Sequence, residues 1–151
     1  MKKSISELLK SCNELRGIEA KVNFLKANDN PVLRIILKCV FDSKIIFLLP
    51  EGTPPYKPSE HLDLEGRLYS EARRLYLFIE GGNPNLTKFK RESLFIQLIE
   101  SLDKNDAELM VSVKDKKLPY KGVTEKVVRE AFPDLISTEE KNEQVTKENQ
   151  L

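Results

Sequence analysis

Asn28-Asp29-Asn30-Pro31-Val32-Leu33-Arg34-Ile35-Ile36-Leu37-Lys38-Cys39-Val40 is the stretch on which the fold turns. Asn28 to Asn30 cannot continue a helix comfortably, and Asn30 followed by Pro31 starts a new one. An Asn side chain caps the first free amides, and proline fits the first helical turn, where its missing N–H costs nothing. Val32, Ile35, Ile36, Cys39 and Val40 then repeat at helical spacing, with Arg34 and Lys38 on the opposite side. The pattern predicts a helix over residues 31–43 and an ending of the helical stretch before it. In that earlier stretch, residues 4–27, Ile5, Leu8, Leu9, Cys12 and Leu15 share a face, with Ser4 as a cap. Gly17 divides it, and Ile18, Val22 and Leu25 carry on.

Downstream, the reading stays helical. Residues 45–49 are apolar and β-branched, yet no partner strand is visible, so they are read as a short buried helix or an extended connector. Pro50, Pro54, Pro55 and Pro58 make residues 50–58 a loop. Ser59 or Asp63 is expected to cap a long helix ending near Glu80, with Leu68, Ala72, Leu75, Tyr76 and Ile79 on its buried face. Gly81 to Asn85 is a turn. A helix starting at Asn85 or Thr87 presents Leu94, Phe95, Leu98, Ile99 and Leu102. Asp103 caps a short helix through Ala107, Met110 and Val113, and Thr124 caps a last one holding Val127, Val128, Ala131 and Phe132. The fold class is all-α: an irregular bundle of about six helices over residues 1–136, followed by a flexible acidic tail over residues 137–151.

Composition narrows the function. The 151 residues are 40% hydrophobic and 32% charged, a globular balance for a single domain. The formal net charge of +1 argues against a polyanion binder driven by bulk charge. No leader and no apolar run of membrane-spanning length is read, so the chain is placed in the cytoplasm, without a membrane partner. One histidine and two cysteines leave no metal centre, and Cys12 and Cys39 read as reduced core residues. His61 reads as a surface or capping residue. No phosphate loop, no dinucleotide fingerprint and no nucleophile–base pair is present. The chain is expected not to be an enzyme and to use no cofactor or small-molecule substrate.

Charge does collect in one place. Residues 114–129 carry six basic side chains against Asp115 and Glu125. Lys114, Lys116, Lys117 and Lys121 are read in a loop, and Lys126 and Arg129 on the helix that Gly122-Val123-Thr124 opens. Lysines beside a helix N-terminus suit phosphate, because dipole and side chains act together. The plain alternative is a solvated surface loop.

Two resemblances bear on this patch. The segments Leu49-Pro50-Glu51-Gly52-Thr53-Pro54-Pro55-Tyr56-Lys57-Pro58, Glu65-Gly66-Arg67-Leu68-Tyr69-Ser70-Glu71, Leu77-Phe78-Ile79-Glu80-Gly81-Gly82-Asn83-Pro84-Asn85-Leu86 and Lys114-Asp115-Lys116-Lys117-Leu118-Pro119-Tyr120-Lys121-Gly122 resemble an uncharacterised family of small proteins from large tailed bacteriophages. More loosely, residues 21–136 resemble the N-terminal helical DNA-binding domain of phage-type ATP-dependent DNA ligases. The anchors are Leu25 to Asn30 running into the next helix, the helices framing Gly81 to Asn85, and Gly122-Val123-Thr124 through Ala131-Phe132-Pro133-Asp134-Leu135-Ile136.

The ligase resemblance implies a backbone-contacting set of Lys114, Lys116, Lys117, Lys121, Gly122 and Thr124, with Lys126 beside it, and charge counting adds Arg129. The loop here is longer than in those ligases, and their adenylation lysine is missing, so no joining activity is implied. Two readings follow. One is a non-catalytic module contacting the backbone of duplex or nicked DNA in phage DNA metabolism, in an infected bacterial cell. The other is a module that keeps the scaffold but binds a phage or host protein instead.

Overall fold

A computed structural model of the chain describes residues 3–59 and 66–137. Helix α1 (Ile5–Glu14) is capped by Ser4, whose hydroxyl accepts the Glu7 amide. Gly17, at φ +87°, turns the chain into α2 (Ile18–Ala27), a conformation glycine adopts freely. Asn30 caps α3 (Pro31–Phe41) through the Leu33 amide at 2.8 Å, with Pro31 in the first turn as its chemistry requires. Then come α4 (Arg67–Glu71), a 3-10 helix (Ala72–Phe78), α5 (Lys88–Glu100), α6 (Lys104–Lys114) and α7 (Glu125–Ala131). Thr87, Asp103 and Thr124 cap α5, α6 and α7.

The hub is α6. It packs against α1, α3 and α5, while α2 lies along α7. Ala107, Leu109, Met110, Val111 and Val113 are all buried, so this helix is apolar on nearly every side. Its two buried charged residues sit at its ends and reach other elements. Asp106 accepts the Ser6 amide at the start of α1 (3.1 Å), and the Lys114 amine donates to the Pro50 carbonyl (2.9 Å).

Three sequence expectations change. The long helix to Glu80 is a short α-helix followed by a 3-10 helix, starting after Gly66 at φ +84°. Ala72, Leu75 and Phe78 are buried at intervals of three, the 3-10 period, and this turns Tyr76 outward to 53% exposure. In α3 the buried set is Leu33, Ile36, Leu37, Cys39 and Val40, and Ile35 is exposed. With apolar residues nearly all round this helix, periodicity did not fix its rotation. Residues 45–49 are the extended connector, and they do find a partner: Phe47 bridges Ile79 in antiparallel fashion, with Leu48 N–H on Phe78 C=O and Glu80 N–H on Ile46 C=O, both 2.8 Å. A single bridge is too short to leave a strand pattern. The expectations for His61, for a cap at Asp63 and for the tail from residue 138 onward lie outside the described residues.

Candidate nucleic-acid interface

The eight residues assigned to the basic patch do not act together. Lys114 belongs to the last turn of α6, not to a loop, and is buried at 5% exposure. Its amine is held by Pro50 C=O and by the Asp115 carboxylate at 2.8 Å, and Asp115 in turn accepts the Gly52 amide at 3.1 Å. This small network ties the proline loop to the end of α6 and leaves the Lys114 charge no phosphate to meet.

Lys116 is structural too. It follows the α6 cap in the left-handed region, φ +62°, where glycine is usual. The turn closes with Lys117 N–H on Ser112 C=O (3.0 Å) and Lys116 N–H on Val113 C=O (2.9 Å), the paired bonds of a Schellman ending. The Lys116 ammonium then donates to the carbonyls of Cys39, Asp42 (2.7 Å) and Ile45 (2.8 Å). It caps the end of α3, where carbonyls have no intrahelical partner and the dipole favours a cation. Burial pulls its pKa down, while the neighbouring Cys39 and Asp42 act the other way. The same burial pushes the Cys39 thiol up to about 11, so that thiol is an unreactive core group. Cys12 is likewise buried and free.

The other residues stay at the surface. Lys117, Lys121, Thr124 and Lys126 are exposed. The Thr124 hydroxyl accepts the Val127 amide, and Arg129 is paired with Glu125 at 3.1 Å across one turn of α7. Gly122 is the pivot. Its amide donates to the Asn13 side chain at 2.6 Å, and its carbonyl accepts the Lys21 amine at 3.0 Å. A Cβ there would lie 2.5 Å from Asn13 Oδ1 and 2.7 Å from Lys21 Nζ, so a side chain at this position would push both side-chain ends away from the Gly122 backbone.

Gly122 therefore joins the end of α1, the start of α2 and the start of α7 in one corner. The start of α2, four residues before Lys21, is uncapped, which the sequence reading missed. Gly17 has no side chain with which to cap α2, and the N–H groups of Ile18, Glu19 and Ala20 have no hydrogen-bond partner among the described residues. The available signal was Gly17 standing where Ser, Thr, Asp or Asn usually caps a helix. Lys21 was missed because nothing in its spacing links it to residue 122. The corner thus carries Lys21, Lys121 and Lys126, with Lys117 nearby in sequence, against Glu19, which has no ion-pair partner among the described residues.

Among the described residues no group of three or more His, Cys, Asp or Glu side chains could hold a metal ion, and no helix is long and apolar enough to cross a membrane. What the fold and this corner define is an all-α domain with an open helix start edged by lysines. The chain belongs to a family of unknown function, DUF6433, whose model matches residues 8–120. No curated protein and no solved structure matches it. The matched span stops just before Lys121 and Gly122, so α7 lies beyond it.

Proposed function

We propose that this chain is a non-catalytic DNA-binding module that holds the phosphate backbone of duplex or nicked DNA at the α2–α7 corner. The observation that carries the reading is the Gly122 junction. It ties the end of α1 and Lys21 of α2 to the residue that leads into α7, so the uncapped start of α2 and the exposed Lys121 and Lys126 belong to elements joined at one point, and free helix amides with ammonium groups near them suit phosphate oxygens. The resemblance to the ligase DNA-binding domain directs the reading to the same corner. The contacting set becomes Lys117, Lys121 and Lys126, with the Ile18 to Ala20 amides, while Lys21 holds the Gly122 carbonyl in place. Lys114 and Lys116 hold the fold instead, and the Arg129 charge is offset by Glu125. Such contacts carry no base sequence, so binding would be weak, non-specific and salt-sensitive. The setting is phage DNA metabolism in the cytoplasm of a bacterial host.

A protein-binding role without DNA is the second reading. It is favoured by the engagement of Lys114 and Lys116 with backbone carbonyls, which removes two of the six patch cations. Fluorescence anisotropy on intact and nicked duplexes decides between them. The Lys117→Glu/Lys121→Glu/Lys126→Glu variant touches only exposed side chains. Salt-sensitive binding by the native chain, lost in this variant, supports the DNA reading. No binding at low salt would favour the second.

A further inference from the structure

Phe89 is 82% exposed, the most exposed of the large apolar side chains among the described residues. It sits in the first turn of α5 between Lys88 and Lys90, both exposed and without an ion-pair partner among the described residues. Two turns further along the same helix is a cavity of about 400 Å³. Phe95 and Ile96 form one wall, and Leu49, Pro54 and Pro55 the other. Residues 89, 92 and 96 fall on one stripe of α5 at spacings of three and four, so the exposed ring and the cavity are neighbours on one face. Glu51 and Glu92 also line the cavity, and neither has an ion-pair partner among the described residues.

We propose that this face binds a second copy of the chain, with Lys88-Phe89-Lys90 of each copy entering the cavity of the other. A ring and an apolar hole side by side are self-complementary, which is what a two-fold pair requires. An apolar cavity of roughly 150 Å³ already holds benzene, so this one has room for a phenylalanine ring. Pro54 and Pro55 stiffen the far wall, so little ordering is needed on binding. The charges agree: when the ring enters, its two flanking lysines arrive beside Glu51 and Glu92, which orients the pair. The Lys114 amine, which also borders the cavity, is already held by Pro50 and Asp115 and does not repel them.

Sedimentation equilibrium of the full chain, from about 10 μM to about 1 mM, tests this. The expected result is a monomer–dimer equilibrium that Phe89→Ala weakens at least about tenfold, with an unchanged circular dichroism spectrum because the ring is exposed. Lys88→Glu/Lys90→Glu should also weaken self-association, and mixing it with Glu51→Lys/Glu92→Lys should restore a mixed dimer. A native chain that stays monomeric throughout, which would leave the cavity to a foreign partner, overturns the proposal. So does a Phe89→Ala variant that associates as the native chain does, or a charge-exchanged mixture that forms no mixed dimer. None of these outcomes bears on DNA binding at the α2–α7 corner.

Discussion

Replacing Lys116 by alanine should weaken the fold while leaving DNA binding intact. The ammonium satisfies three carbonyls, those of Cys39, Asp42 and Ile45, where α3 ends and the connector begins. A hydrogen bond to a charged group contributes about 1.5–3 kcal/mol, and partial burial of the ammonium offsets part of the sum. Water can reach some of the freed carbonyls, because Lys116 is only half-buried. The net loss should be about 3 kcal/mol, which for a domain of this size lowers Tm by roughly 10 °C. Lys116→Gly removes the same ammonium but relieves the left-handed backbone, so it should be about 1 kcal/mol more stable than Lys116→Ala. Lys117→Ala, at the exposed neighbour, should change stability by less than about 0.5 kcal/mol. Urea and thermal denaturation followed by circular dichroism read all three, and anisotropy below the melting range reads the DNA affinity. An alanine variant as stable as the native chain would refute the capping role. One that folds normally and loses DNA affinity would return Lys116 to the phosphate-binding set.

Three more predictions rest on single residues. Asp106 is fully buried, its Oδ2 has no hydrogen-bond partner among the described residues, and burial raises its pKa against the opposing bonds from Ser6. Its contribution to stability is therefore greatest below the ordinary aspartate pKa and is lost as pH rises through the higher folded value. Asp106→Asn, which keeps an acceptor for the Ser6 amide, should flatten that part of the pH profile of Tm and raise Tm at neutral pH. Gly122→Ala should displace the Asn13 and Lys21 side-chain ends, cost about 1 kcal/mol in denaturation through the two weakened hydrogen bonds, and weaken DNA binding beyond what Lys21→Ala alone does. Glu19→Gln removes the carboxylate from the first turn of α2 and should strengthen DNA binding about two- to fivefold at low salt, with little change at high salt.

Four helix starts were legible because each has a chemical signature. Asn30-Pro31, Thr87, Asp103 and Thr124 are side chains that accept free amides, and each caps the helix it announces. Endings and rotations were less so. Lys116 ends α6 in a conformation that glycine would have signalled, so residues 114–122 read as one basic loop. Lys114 looks like a surface lysine until the chain is folded, because its carbonyl partner lies 64 residues away. The 3-10 segment escaped because Leu75, Tyr76 and Ile79 also fit an α-helical stripe. In the candidate site, charge and the helix start pointed to Lys121, Gly122 and Thr124. Lys21 and the Gly17 turn enter only through the Gly122 contacts, which join residues 101 and 109 positions apart.

The central claim is that phosphate sits at the corner where α2 and α7 begin. A ¹H–¹⁵N correlation spectrum of the labelled chain, titrated with a short nicked duplex at low salt, tests it at each amide. The account predicts that Ile18, Glu19 and Ala20 shift together with Lys121, Gly122 and Thr124, and that the shifts reverse as salt is added. Shifts confined to other surfaces, or a spectrum unchanged by DNA, would contradict it.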